Sequence, residues 1–312
     1  MELADDILDS FARAALESYD YRGLGLDEAV ALRALRHEIA EDFGELSEVD
    51  VLERRWRNCG IEGTSLEDFS EWLVPIGGER AVICGIRHLG MNLSKPFVQL
   101  VPNFQFGSLE EARALYRESL AGLFERLRPK WIQVYSHSGE GSEAGGSLCL
   151  VGKAGAMLKA VARGKPQEGR LSLVDAEDES YFLWYEATYD AFHAENPGLK
   201  DWVHKNDLEL MRACRKDGLL KLVQIDGELA GLVAAERTPF LGNEGIYFVE
   251  ILLAKKWRGM GLGKGAQLLF VEQCCDPGDF VWGLIDRRNA SSLRTALSNG
   301  RRVARGECFL EI

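Results

Sequence analysis

Long apolar runs are missing from this 312-residue chain; the longest candidate, 246–254, is strand-sized and interrupted by Glu250. A helix that crosses a bilayer needs ~18 apolar residues or more, so neither a membrane span nor a membrane partner is expected. The start also lacks a basic segment followed by an apolar core, so no secretory signal is expected and the chain reads as cytoplasmic. Histidine is scarce: the five residues stand at no metal-ligand spacing, and no metal site is expected. The seven cysteines form no Cys-x-x-Cys pair, although Cys274 and Cys275 are neighbours, and reduced thiols are the expectation. Positive charge is in deficit, with 37 Lys and Arg against 49 Asp and Glu and a net charge of -12. Phosphate backbones attract a basic field, so nucleic acid is not expected as a partner. What remains is an ordinary globular composition, 46% hydrophobic and 28% charged. Its length suits about two domains of roughly 150 residues each.

Periodicity supplies the elements. Leu3, Ile7, Leu8, Phe11, Ala15 and Leu16 fall at helical spacing over residues 1–20. Asp27 reads as the N-cap of a helix over 28–41, and Ser108 with Glu111 as a capping box opening a helix through Leu127. Strands are expected at 80–88, 96–104 and 130–136, a Gly/Ser-rich loop at 138–147, a helix at 156–162 and a linker at 164–169. A strand at 170–174 and helices at 179–193 and 206–216 come next, then a hairpin over Asp226-Gly227. Strands at 245–254, 279–286 and 302–312 alternate with helices at 264–273 and 291–298. The strands 97–104 and 247–254 differ by 150 positions, as do 131–135 and 281–285. One element order at one offset is the signature of an internal duplication. The expected fold is therefore α/β (α+β). It has two tandem domains, 1–165 and 166–312, each a mixed, mostly antiparallel central sheet flanked by helices.

The residues that carry chemistry lie where the strand at 245–254 runs into a helix, in Arg258-Gly259-Met260-Gly261-Leu262-Gly263-Lys264. Glycines there allow positive φ and a close approach to an anion, while N–H groups at a helix start and the helix dipole favour negative charge. The stretch fails the Walker pattern, which Arg258 and Gly265 break, and the dinucleotide fingerprint, whose last glycine is Lys264 or Ala266. It does fit Arg-x-x-Gly-x-Gly after a strand. That pattern resembles the GNAT N-acetyltransferase superfamily, and so does the element order over 170–312, with Asn289 and then Gly300 eleven positions on. The resemblance covers the second half by motif and the first half by element order alone. The layout, a complete second copy after an eroded first, is similar to that of mycothiol synthase.

The resemblance implies acetyl-CoA as co-substrate and direct transfer of the acetyl group to a primary amine, a small molecule being the expected acceptor. Backbone groups of Ile251, Leu252 and Leu253 would meet the acetyl and pantetheine parts, one N–H polarising the thioester carbonyl. Backbone N–H groups from Arg258 through Lys264 would hold the diphosphate, and Asn289 would contact the pantetheine arm. Lys255, Lys256 and Lys264 would add positive potential. Two positions depart from the family: its usual acid tyrosine is Ala296 here, and the aromatic after the late glycine is Arg301. Tyr247 is a candidate substitute for the acid. From the residues themselves, Glu250 is the expected general base, an acid in an apolar strand whose burial would raise its pKa. Asp286 and Glu236 are weaker candidates. The first half has no such turn, only Val101-Pro-Asn-Phe-Gln-Phe-Gly-Ser108, so no diphosphate site is expected there. The alternatives are a non-catalytic CoA-binding module and a protein or peptide N-terminal acetyltransferase. No oligomeric state is read from the sequence.

Overall fold

The computed structural model of the chain describes residues 3–161, 170–200 and 202–312. The linker expected at 164–169 lies outside them. Two compact units are present, one of Met1–Leu148 with Ala304–Ile312, the other of Cys149–Val303. This partition differs from the expected 1–165 and 166–312.

In chain order the elements are α1 (Asp5–Glu17), α2 (Glu28–Glu45), α3 (Val49–Cys59), β1 (Trp72–Gly77), β2 (Arg80–His88) and β3 (Pro96–Pro102). Next come α4 (Leu109–Leu115), α5 (Ala121–Phe124), β4 (Trp131–Ser136), β5 (Ser147–Lys153), α6 (Ala154–Val161) and β6 (Leu171–Asp175). The remainder are α7 (Ser180–Glu195), α8 (Leu208–Lys216), β7 (Leu220–Ile225), β8 (Glu228–Glu236) and β9 (Gly245–Leu253), then α9 (Leu262–Cys274), β10 (Phe280–Asp286), α10 (Ala290–Ser298) and β11 (Arg302–Glu311).

The first unit's sheet runs β1-β2-β3-β4-β11, with β3 and β4 parallel and the other pairs antiparallel. The expected caps are present: Asp27 accepts the Val30 N–H at 3.1 Å and Ser108 the Glu111 N–H at 3.1 Å. The helix expected over 108–127 is broken by a π turn at Tyr116–Leu120. The break lets Tyr116, Leu120 and Phe124 all reach the core formed with Ile86, Val98 and Ile132. The amphipathic N-terminal helix α1 docks on its own unit, with Phe11 fully buried beside Phe43 and Ile83.

The second unit's sheet runs β5-β10-β9-β8-β7-β6, with β9 and β10 parallel and the hairpin β7-β8 where Asp226-Gly227 was expected to turn. Helix α9 covers one face through Ala266, Phe270 and Val271 packed against Ile246, Phe248 and Val281. Helices α7 and α8 cover the other through Tyr181, Tyr185, Met211 and Cys214 against Leu232 and Leu252. Two strands account for the difference in bounds. A strand, β5, begins at the last residue of the stretch expected to be loop, where no strand was expected, and its residues from Cys149 lie beside β10. The final strand, expected to close the second half, pairs β4 from Gly306↔Ser136 to Glu311↔Trp131. Among the described residues no helix is long and apolar enough to cross a membrane.

Candidate functional site

Strands β9 and β10 pair over only three residues, Gly245↔Phe280, Ile246↔Val281 and Tyr247↔Trp282, and then part. The ladder on the other side of β9 is irregular as well. Its register with β8 slips between Ala234↔Glu250 and Ala235↔Phe248, leaving Val249 as the extra residue of a bulge. A bulge bends its strand and sharpens the twist. The opening is a cleft of about 780 Å³, lined by Phe248–Leu253, by the glycine-rich turn, and by Gly283–Asp286 of β10.

The turn closes the outer end of the cleft. Gly259 and Gly261 have φ of +78° and +76°, a region costly to any residue with a β-carbon. Gly261 is the N-cap of α9 and no side chain caps it, so the first-turn N–H groups are presented to the cleft. Of the backbone donors expected to hold a diphosphate, two are engaged within the turn: Arg258 N–H bonds Lys255 O at 3.1 Å, and Lys264 N–H bonds Gly261 O at 3.2 Å. Those of Gly259 through Gly263 are the better placed. Met260 points its side chain to solvent, at 57% exposure, and lines no part of the cleft.

The charges near the turn are arranged differently from expectation. Arg258 folds its side chain inward, donating from Nε to Leu253 O at 2.7 Å and pairing with Glu195 at 3.3 Å. It therefore ties the turn to the end of β9. Lys255 pairs with Glu195 at 2.8 Å and Lys256 with Glu228, whereas Lys264 lines the cleft.

Backbone groups of β9 form one wall. Ala254 N–H bonds Ala230 O of the β8 side at 2.8 Å. Strand N–H groups alternate in direction, so Leu252 also points to β8, while Ile251 and Leu253 point into the cleft. Leu252 is buried in the α7–α8 core. Among the three residues expected to meet the acetyl and pantetheine parts, Leu253 is thus the one whose N–H both faces the cleft and is uncommitted, because Ile251 N–H bonds Glu250 Oε1 at 2.9 Å. Asn289 lines the cleft and caps α10, accepting Ser292 N–H at 3.3 Å and the Ser291 hydroxyl at 3.1 Å.

Glu250 is half-buried and lines the cleft beside these groups. Its Oε2 accepts the Tyr185 hydroxyl at 2.8 Å, and Asn206 Nδ2 lies 3.4 Å away. The hydroxyl in turn accepts Asn206 N–H at 2.8 Å, so its proton points at the carboxylate. Desolvation raises the Glu250 pKa to about 7, more than the hydrogen bonds from Tyr185, Ile251 and Asn206 lower it. Burial also pushes the Tyr185 hydroxyl well above the usual tyrosine range. Tyr185 and Asn206 were not foreseen. The spacing of Tyr181, Tyr185 and Tyr189 marks one helix face, but nothing local says that this face meets Glu250.

The other candidates are committed to other partners or stand outside the cleft, which Asp286 does line. Asp286 is held by both donors of its neighbour Arg288 at 2.9 Å. Glu236 and Tyr247 line no part of the cleft, and Tyr247 packs against Trp282 with the rings tilted by 60° and their centroids 4.7 Å apart. Tyr189 does line it but donates its hydroxyl to His204 O at 2.8 Å. Ala296 is fully buried.

The first unit repeats the sheet geometry without the turn. β3 and β4 pair over Phe97↔Trp131, Val98↔Ile132 and Gln99↔Gln133 and then part around a cavity of about 490 Å³. Its connecting loop is tied down by protein groups: Asn103 accepts Ala81 N–H at 2.8 Å and Gln105 donates to Ala14 O at 2.6 Å. Among the described residues no group of three or more His, Cys, Asp or Glu could hold a metal ion.

No protein-family model matches the chain, and no curated protein matches it in sequence. Solved structures do match. A GCN5-related N-acetyltransferase from Sphaerobacter thermophilus superposes with a TM-score of 0.51 at 14% identity, covering 100% of this chain and 95% of that one. A GNAT-family acetyltransferase from Colwellia psychrerythraea gives 0.47 at 13% identity over 74% and 81% of the two chains. Naa50 of Arabidopsis thaliana, solved with a CoA-containing bisubstrate analogue, gives 0.33 at 12% identity over 44% and 97%. The Sphaerobacter protein, matched over the whole chain, shows that this chain has the GNAT fold.

Proposed function

We propose that the second unit is an acyl-CoA-dependent N-acyltransferase, with acetyl-CoA the reference donor and a primary amine, of a small molecule, the acceptor. One observation carries the reading. A carboxylate with its pKa near neutrality stands in the same cleft as the cleft-facing N–H of Leu253, ahead of an uncapped, glycine-opened helix start. The turn supports a diphosphate by its N–H groups and helix dipole. The diverging strands offer unpaired backbone groups to an extended pantetheine arm.

The chemistry balances with the groups present. The amine nitrogen bonds the thioester carbonyl carbon, and an N–H polarises the oxygen as negative charge builds on it. Glu250 takes the ammonium proton, a task suited to a base with a pKa of about 7. The C–S bond breaks and CoA leaves as a thiolate, a far better leaving group than an alkoxide or amide ion, so a protein acid is helpful rather than required. That point answers Ala296. The position does favour a second reading, a CoA-binding protein without turnover. The test is thioester loss from acetyl-CoA over an amine panel, for the wild type and Glu250→Gln. The proposal requires turnover on at least one amine and a fall of ~100-fold or more in the variant. Tight CoA binding with no turnover on any amine supports the second reading.

A further inference from the structure

Arg301 is a cation buried to 3% exposure, and no carboxylate pairs with it among the described residues. Among the described residues its one side-chain hydrogen bond runs from Nη2 to Gln267 Oε1 at 2.7 Å, an oxygen that also accepts Asn299 Nδ2 at 3.0 Å. Its Nε has no partner, and neither has Asn299 Oδ1. The Phe248 ring, 5.0 Å from the guanidinium carbon, adds a cation–π contact. Desolvation lowers the pKa to about 10, which leaves the group charged at neutral pH. A buried charge with so little compensation is strongly unfavourable unless an anion arrives.

The guanidinium is aimed into the cleft. Arg301, Gln267, Phe248 and Gly283 all line it. A β-carbon at Gly283 would lie 3.6 Å from Arg301 Nη1 and 3.6 Å from the Phe248 carbonyl, so Nη1 sits where β9 and β10 have just parted. That is the inner end of the cleft, and the glycine-rich turn that suits a diphosphate is at the outer end. The side is also defined. Gln267 and Phe248 belong to the α9 face of the sheet, whereas Tyr185, which holds Glu250, belongs to the α7 face. An anion at Arg301 is thus remote from the CoA phosphates, and it lies across the sheet from the base that must meet the amine. The part of the reactants left to fill that place is the far end of the acyl group.

We propose that Arg301 makes this cleft selective for a donor whose acyl group ends in a carboxylate, the monothioester of CoA with a short dicarboxylic acid. This inference rests on the acyl-CoA reading above and names its donor class. The transferred bond is unchanged: the thioester carbonyl moves from sulfur to the amine nitrogen, and the distal carboxylate stays ionised against the guanidinium. Arg301 acts here as a specificity residue and takes no proton.

The test is binding of non-transferable thioethers of CoA to the full chain, measured by calorimetry. Carboxypropyl-CoA and butyl-CoA differ at the chain end by the carboxylate. A charge-assisted contact made at a buried guanidinium should favour the carboxylated thioether by ~10-fold or more. In Arg301→Met, an apolar replacement of similar length, the ratio should fall to about one or invert. Arg301→Lys should keep the sign of the preference at a smaller ratio. A merely structural role would weaken both ligands alike and leave the ratio intact, and that result overturns the proposal. Equal affinity in the wild type overturns it as well. Failure to bind CoA at all removes the cleft assignment and this inference together. A carboxylate preference in a protein that acylates no amine keeps the inference and sinks the catalytic reading.

Discussion

Replacing Glu250 by Gln should stabilise the protein in alkaline solution and destabilise it in acid. The carboxyl moves from its ordinary value of 4.5 to about 7 on folding. Because the folded pKa is raised, the native state keeps this contribution in full below the unfolded pKa and loses it as pH climbs to about 7. The whole span is worth at most about 3 kcal/mol, reduced by whatever water in the cleft screens. Gln never ionises and escapes the loss. It does sacrifice an acceptor, because Ile251 N–H and the Tyr185 hydroxyl both donate to the carboxylate, at a cost of about 1 kcal/mol. The variant should therefore be about 1 kcal/mol less stable at acid pH and roughly 2 kcal/mol more stable near pH 8. Calorimetry of both proteins across this range measures the difference, and other titrating groups cancel in it. The transition that added CoA shifts upward identifies the second unit. A stability difference that does not change with pH would refute the reasoning, since Glu250 would then bind its proton equally in both states.

Tyr185→Phe removes a hydrogen bond that favours the ionised carboxylate, so the activity limb near neutral pH should move to higher pH; a limb that stays put assigns it to another group. Gly261→Val forces a β-branched residue to a φ of +76° at the helix start, and CoA affinity, read by calorimetry, should drop by ~10-fold or more. Gly231→Ala would put a β-carbon 2.3 Å from the Leu252 carbonyl, parting β8 from the strand that carries Glu250; Tm should fall and turnover with it. The thiols of Cys84, Cys214 and Cys275, pushed up to about 12 by burial, should resist thiol reagents in the folded protein and react after unfolding.

The sequence reading succeeds where local chemistry decides structure. Asp27, Ser108 and Asp226-Gly227 announce their caps and turn because each acts on backbone within a few residues. The edge strand β1 escapes because Pro75 interrupts it, and a proline within a run weakens its reading as a strand. Helix α3 escapes because a single residue, Leu52, is buried, which leaves little apolar face to detect. Strand β5 lies against a glycine-serine run and, buried through most of its length, shows no alternation to separate it from a short helix. The destination of β11 is of another kind. Its alternating pattern says that it is a strand, and a strand's own pattern does not name its neighbour.

The candidate site divides along the same line. Glu250 and the glycines are legible as residues out of keeping with their surroundings. Their partners are not, since Tyr185 and Asn206 reach Glu250 only after two segments more than 40 positions away pack on β9. The two units isolate what converts a sheet into a site. Each holds a parallel pair that joins over three residues and then parts, so the divergence is supplied by the fold. In one unit the chain leaves the pair through Gly259 and Gly261 and begins a helix with no side-chain cap. In the other, Ser108 caps the helix itself, while Asn103 and Gln105 bind the loop to neighbouring backbone. A helix start already satisfied by its own serine has less to offer a diphosphate. The division of labour thus follows from a few residues in one connection, and the sheet beneath them stays the same.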